Sequence, residues 1–177
     1  MDIKDYFNSD EITDVRFFDF ENIIFDDRTR DWCKENLCSK YSTCWTCPPG
    51  AGSLDGIKGN LKQYDSAVLF SVIGHVNSCE DIDSALKIGR KSRDMLINIR
   101  DKMLSDGLNV TALGGGACDI CVKCTYPDSP CRFPEKAVMP IESCGINVMD
   151  TAVKLGMKTD NGKNTITYFA LILWSRF

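Results

Sequence analysis

Asn109-Val110-Thr111-Ala112-Leu113-Gly114-Gly115-Gly116-Ala117-Cys118-Asp119-Ile120-Cys121-Val122-Lys123-Cys124 leads from an apolar pentapeptide through three glycines into three evenly spaced thiols. The pentapeptide predicts a short strand over Asn109 to Leu113. Gly114, Gly115 and Gly116 then permit positive φ and close backbone approach, either as an ordinary turn or with N–H groups aimed at sulfur or an anion. Six residues after Cys124 come Cys131, Arg132, Phe133 and Pro134, so a single loop at a strand end carries four sulfurs.

Upstream, Ile82, Leu86, Leu96, Ile99 and Met103 recur at near-helical intervals and predict the longest helix, from Glu80 to about Asp106, stopped by Gly107. Its middle, Arg90-Lys91-Ser92-Arg93, reads as a solvated face rather than a dock for an acidic redox partner. Ala67 to Ile73 is a compact apolar run, expected to be a buried strand. Ser53 is placed to cap a helix reaching about Tyr64, and Asp26 or Asp27 to cap one reaching about Glu35. Val15 to Asp26, aromatic and β-branched, reads as one strand or a hairpin. Downstream, Glu135 to Ala137 suggests a turn of helix, and Ile141 to Leu155 a helix over Val148, Ala152, Val153 and Leu155, stopped by Gly156. Asp160 to Lys163 is a turn signal, and Thr165 to Trp174 a closing strand. Strands interleaved with helices predict an α/β or α+β domain over residues 1–177, with one mixed sheet of about four strands, helices packed on it and two cysteine-rich loops.

The second loop carries Cys33, Cys38, Cys44 and Cys47, followed by Pro48, Pro49 and Gly50, whose prolines stiffen the chain behind the last thiol. The 177 residues include ten cysteines, 21 basic and 25 acidic side chains. A chain of this length buries roughly 70 % of its unfolded surface and needs no disulfide staples. Neither a secretory signal nor an apolar run long enough for a membrane span is evident, so a cytoplasmic location with free thiols is expected. A net charge of −4 gives no basis for nucleic-acid or anionic-membrane binding, leaving a protein redox partner or a small-molecule substrate. No dinucleotide or phosphate-loop fingerprint is present.

Two separated C-x2-C pairs, Cys44 with Cys47 and Cys118 with Cys121, would suit zinc. The additional thiols Cys124 and Cys131 exceed one zinc ion and favour iron–sulfur. The run resembles the bacterial ferredoxin pattern C-x2-C-x2-C-x3-C-P, with a longer last spacer and a displaced proline. The expected cofactors are therefore two 4Fe-4S clusters, one on Cys118, Cys121, Cys124 and Cys131, the other on Cys33, Cys38, Cys44 and Cys47. In two-cluster ferredoxins the last Cys of a run serves the other cluster, which leaves the partition of Cys131 open. Trp45 and Tyr41 either shield a cluster or pack the loop. His75 reads as a strand-end residue, and the isolated Cys79 and Cys144 as small hydrophobes, either of which is available as a late ligand.

The chain is similar to the family known as predicted metal-binding protein, cysteine-rich domains of anaerobic prokaryotes. The resemblance spans about Ile23 to Leu173. It rests on Cys33-x4-Cys38-x2-Tyr41-x3-Trp45-x-Cys47-Pro48-Pro49, Cys118-x2-Cys121-x2-Cys124, Pro130-Cys131-Arg132-x-Pro134-x-Lys136-Ala137, Glu142-x2-Gly145-Ile146 and Thr167-Tyr168-Phe169. It implies metal binding through Cys33, Cys38, Cys47, Cys118, Cys121, Cys124 and Cys131, requires no thiol at Cys44 and implies no particular reaction. Electron transfer through two clusters is the leading expectation. An enzyme whose cluster at Cys33, Cys38 and Cys47 has an open iron, with Glu142, Lys136 or Arg132 nearby, is the alternative, and structural zinc is the third.

Overall fold

Runs of apolar and β-branched residues become the strands of one mixed sheet in the computed structural model, which describes residues 2–78 and 80–175. The strands are β1 (Asp14–Asp19), β2 (Ser66–His75), β3 (Val110–Gly114), β4 (Met139–Pro140) and β5 (Thr165–Trp174), in the spatial order β1-β2-β5-β3-β4. β1 pairs antiparallel with β2, β5 antiparallel with both β2 and β3, and β4 parallel with β3. The mixed α/β architecture is as expected, with five strands in place of about four. The additional strand is β4, only two residues long.

β5 explains the layering. Its continuous apolar run buries alternate side chains in two directions, as a strand covered on both faces must. Ala170, Ile172 and Trp174 join Val68, Phe70 and Val72 of β2 against Leu96, Ile99 and Met103 of a long helix, α3 (Ile82–Ser105). Phe169, Leu171 and Leu173 join Ala67 and Leu69 in a core with Ile57 and Leu61 of α2 (Leu54–Leu61), with Ile141 and Ile146 of the segment that leads into α4 (Val148–Lys154), and with Ala152 of α4 itself. Each fully buried Leu, Ile or Phe contributes roughly 1.5–3 kcal/mol to this core. Gly74 of β2 lets α3 lie close, since a Cβ there would stand 2.3 Å from the Ile88 side chain.

Polar side chains set the helix starts. Ser53 accepts from the Gly56 amide, Asp81 from Ser84 and Asn147 from Asp150. At α1 (Arg28–Lys34) the Asp26 carboxylate accepts from the Arg28 amide, while Asp27 occupies the cap position without capping.

Some boundaries differ from expectation. The run Val15 to Asp26 forms a single strand ending at Asp19, because Phe20–Asn22 turn into a short 3₁₀ segment. The segment from Ile141 opens as a 3₁₀ turn, Glu142–Cys144, broken by Gly145 at φ +76°, and becomes helical only at Val148. Glu135 to Ala137 form a hydrogen-bonded turn closed by the Lys136 and Ala137 amides on the Phe133 carbonyl, too short to be a helix. No described helix is long and apolar enough to cross a membrane. Cys79 lies outside the described residues.

Candidate metal centre

Both cysteine loops meet beyond the end of β3, where Gly114 hands the chain to the first thiols. Cys118, Cys121, Cys124 and Cys131 line a narrow cavity, and Cys44 from the other loop joins them, with Trp45, Arg132 and Phe133 completing the wall. Cys33, Cys38 and Cys47 line a second, wider and more open cavity together with Gly116, Ala117, Glu142 and Ser143. Gly116 takes φ +83°, so the glycine bend itself forms part of the second wall. Cys44 and Cys47 stand one on each side of the partition, and the Cys44 sulfur lies 3.6 Å from the Thr46 hydroxyl between them.

Local contacts hold these loops in place. The Trp45 indole N–H donates to the Ser129 carbonyl at 3.1 Å, and its ring meets Tyr126 edge-on at 4.9 Å, clamping the Cys44 loop to the Cys124–Cys131 loop. Gly50 is required there, because a Cβ would stand 2.6 Å from the Cys44 carbonyl oxygen and 2.9 Å from the Tyr126 ring. Thr125 donates to the Pro130 carbonyl and Arg132 to the Lys123 carbonyl, bracing the long spacer before Cys131. From α1, Arg30 donates to the Ser143 carbonyl at 2.8 Å and the Gly52 carbonyl at 3.0 Å, joining the walls of the second cavity.

The electrostatics follow burial and proton sharing. Hydrogen bonds from the Cys47 thiol, the Thr46 hydroxyl and the Thr46 and Cys47 amides hold the Cys44 thiol down, to about 5, against the opposing cost of burial. Donating that proton, with burial, pushes the Cys47 thiol upward. Burial raises Cys33, with Glu142 and Cys38 adding to the shift and Arg30 opposing it. Burial also raises Cys118 and Glu142. Among the described residues no three His, Cys, Asp or Glu side chains converge as ligands of one bare ion; the thiols stand around cavities instead.

All eight expected thiols therefore border these two cavities, but the grouping of Cys44 differs. It was expected with Cys33, Cys38 and Cys47, and it lies with Cys118, Cys121, Cys124 and Cys131, because the Cys44–Cys47 turn points its two sulfurs to opposite sides. Of the polar groups named from sequence, Glu142 borders the second cavity and Arg132 the first, whereas Lys136 borders neither and lies over the Phe133 ring. Trp45 lines the first cavity; Tyr41 lines neither. His75 is an exposed strand end, Cys144 is a fully buried core residue, and the nine described cysteines are free thiols.

Within the basic segment of α3, Arg90 and Lys91 lie on the expected solvated face, whereas Ser92 and Arg93 turn inward. Arg93 bonds the Asp119 carboxylate at 2.6 Å and reaches the Ala117 carbonyl at 3.4 Å, Arg90 touches the same carboxylate at 3.3 Å, and Lys91 pairs with Glu11. Two arginines thus hold the residues on either side of Cys118. Ser143 had no sequence signal beyond its place beside Glu142, yet its buried hydroxyl is without a hydrogen-bond partner in the structure.

The family model described as Predicted metal-binding protein (DUF2284) matches residues 16–174. Comparison with curated proteins and with solved structures finds no match.

Proposed function

The chain belongs to the predicted metal-binding protein family, and from that premise we propose an iron–sulfur protein holding two 4Fe-4S clusters and passing electrons to a partner protein. One observation carries the reading: thiols from two distant segments gather around two adjoining cavities. Sulfurs spread around a space suit a centre of several metal atoms, whereas zinc asks four ligands to converge on one point.

Cys118, Cys121 and Cys124, with Cys131 or Cys44, would hold one cluster, and Cys33, Cys38 and Cys47 the other. The clusters supply reversible one-electron storage. The chain supplies the rest. Trp45 and Phe133 keep water from the first cavity, which favours the less charged redox state. Cys44 and Cys47 belong to one turn, the Cys47 amide donating to the Cys44 carbonyl at 3.3 Å, so a short stretch of chain joins the two sites as a route for an electron. Arg93 sets a positive charge against the backbone beside Cys118. Val122, fully exposed on the thiol loop, and the part-exposed Phe133 offer an apolar contact for the partner.

Anaerobic purification with iron and acid-labile sulfide analysis and electron paramagnetic resonance tests this, on wild type and Cys44→Ala. About eight iron and eight sulfide per chain are expected for two cubane centres. Cys44→Ala retains that content, because four other thiols line the same cavity. Fully metallated protein containing zinc and no iron refutes the proposal.

A further inference from the structure

Resting on the electron-transfer reading, we propose that the loop around Val122 and Phe133 is the docking surface for a small acidic electron-carrier protein, one whose carboxylates ring an apolar patch over its redox group. Val122 stands between Cys121 and Cys124 with its side chain fully exposed, and Phe133, two residues beyond Cys131, is 38 % exposed. Exposed apolar residues are ordinary by themselves. What distinguishes this pair is the charge set around it.

Lys123 adjoins Val122 in the chain. Arg132 adjoins Phe133 and donates to the Lys123 carbonyl at 2.9 Å, and the Lys136 ammonium lies 5.8 Å from the centre of the Phe133 ring. Three cations therefore border one apolar pair, and none of the three forms a salt bridge among the described residues. The loop's own carboxylates do not cancel them, because Asp119 is held by Arg93 and Arg90 of α3, which leaves Asp128 and Glu135 against Lys123, Arg132 and Lys136. The chain as a whole carries −4. A positive spot on a negative molecule attracts an acidic partner to this face and repels it from the rest, which orients the encounter. Arg132 and Phe133 also form part of the wall of the first cavity, with Cys121, Cys124 and Cys131 part-exposed, so a carrier seated here lies against the thiol loop itself. At the mouth of the second cavity, by contrast, the α1 cations beside the exposed Trp32 are already engaged, Arg28 with Asp26, Lys34 with Asp31, and Arg30 with the Ser143 and Gly52 carbonyls.

The test is binding, read by isothermal titration calorimetry on the intact chain without oxygen. The probes are ferredoxin and flavodoxin, both small acidic carriers, and cytochrome c as a basic one, at about 20 and about 200 mM salt, between which the screening length falls from roughly 20 Å to roughly 7 Å. An acidic probe should bind, about tenfold more weakly at the higher salt. Lys123→Glu and Lys136→Glu, both exposed and checked for native circular dichroism, should each weaken it about three- to tenfold at low salt and by less at high salt. Val122→Ser should weaken it about tenfold at both salts, the loss of one valine buried in the complex. Val153→Ser, which removes an exposed valine from α4, should change nothing. The proposal is overturned if neither acidic probe binds, if binding ignores both lysine variants, or if cytochrome c binds instead and the lysine variants strengthen it. Metal analysis of the same samples separates this proposal from the reading beneath it. About eight irons per chain without binding overturn the docking surface alone, whereas binding by protein that holds zinc and no iron supports the surface and overturns the two clusters.

Discussion

Arg93 and Arg90 share one carboxylate, and their different burial makes a quantitative comparison. Arg93 is 14 % exposed in its side chain and lies 2.6 Å from Asp119, whereas Arg90 is 61 % exposed and lies 3.3 Å away. Asp119 is itself 38 % exposed, so water screens both pairs and the bare Coulomb energy overstates them. Arg93 adds a charged contact to the Ala117 carbonyl. Together these place Arg93→Gln at about 1–2 kcal/mol and Arg90→Gln at about 0–0.5 kcal/mol. Because the bonds are made to residues flanking Cys118, the loss falls on local opening of the loop more than on the sheet core. An opening equilibrium shifted by 1–2 kcal/mol rises about five- to thirtyfold. Hydrogen exchange at the amides of Ala117 to Ile120, followed in anaerobic protein, reads that increase directly. Added salt should erase the small Arg90 effect and leave most of the Arg93 effect. In a double-mutant cycle Arg93→Gln and Asp119→Asn should couple by about 1 kcal/mol. Equal exchange in Arg93→Gln and wild type, or a larger effect from Arg90→Gln, refutes the idea that α3 holds the thiol loop.

Other consequences follow from close approach and capping. Gly74→Ala puts a Cβ 2.3 Å from Ile88, whose branched side chain has little freedom to yield, so thermal unfolding should fall by about 2–12 °C for a cost of about 1–3 kcal/mol; Ile88→Ala in the same chain should restore part of it. Gly50→Ala presses on the Cys44 carbonyl and the Tyr126 ring, and should lower metal retention while far-ultraviolet circular dichroism stays native; unchanged metal content would show that the loop yields freely. Asp81 caps α3, and hydrogen bonds from the Asn77 and Ser84 amides and the Ser84 side chain hold its carboxyl at about 2, below the ordinary 3.8. The unfolded chain therefore takes up the proton first, so the cap's stabilisation is complete above pH 3.8 and is lost as the pH falls through about 2. Asp81→Asn should flatten that acid dependence in the exchange of the Ser84 amide.

What could be read from the chain depended on the range over which each feature is encoded. β5 was legible because burial on both faces needs ten consecutive strand-forming residues, and α3 because its apolar period persists over 24 residues. β4 has two residues, one a proline with no N–H to donate, so no local pattern marks it. The aromatic run after Asp19 looks the same whether it continues a strand or turns; Phe20 still donates to Asp65 as the next rung beside β2, and the turn is made where the Ile23 amide bonds back to the Phe20 carbonyl, which no residue pattern marks. The exposed Arg90 and Lys91 of α3 follow the helical pattern, but the inward turn of Arg93 was not legible, because its countercharge, Asp119, belongs to another part of the chain. Thiol number was plain from spacing. Allocation of Cys44 was not, because a two-residue spacer specifies proximity to Cys47 but not the direction in which each sulfur points.

The position of β5 also sets a timetable. β2 and β3 lie on either side of it and do not touch as a ladder, so the two halves of the sheet stay unjoined until the chain has been made through Trp174. From Cys131, the last of the cavity thiols to be made, to Trp174 are 43 residues, about 2–9 s of synthesis. During that interval every thiol of both cavities has emerged while the strand that anchors β3 is missing. The nascent thiols spend those seconds on an unfinished scaffold, open to oxidation and to whatever metal arrives first. Any cell making this protein must deliver the metal late, or shelter the cysteines until the central strand is in place.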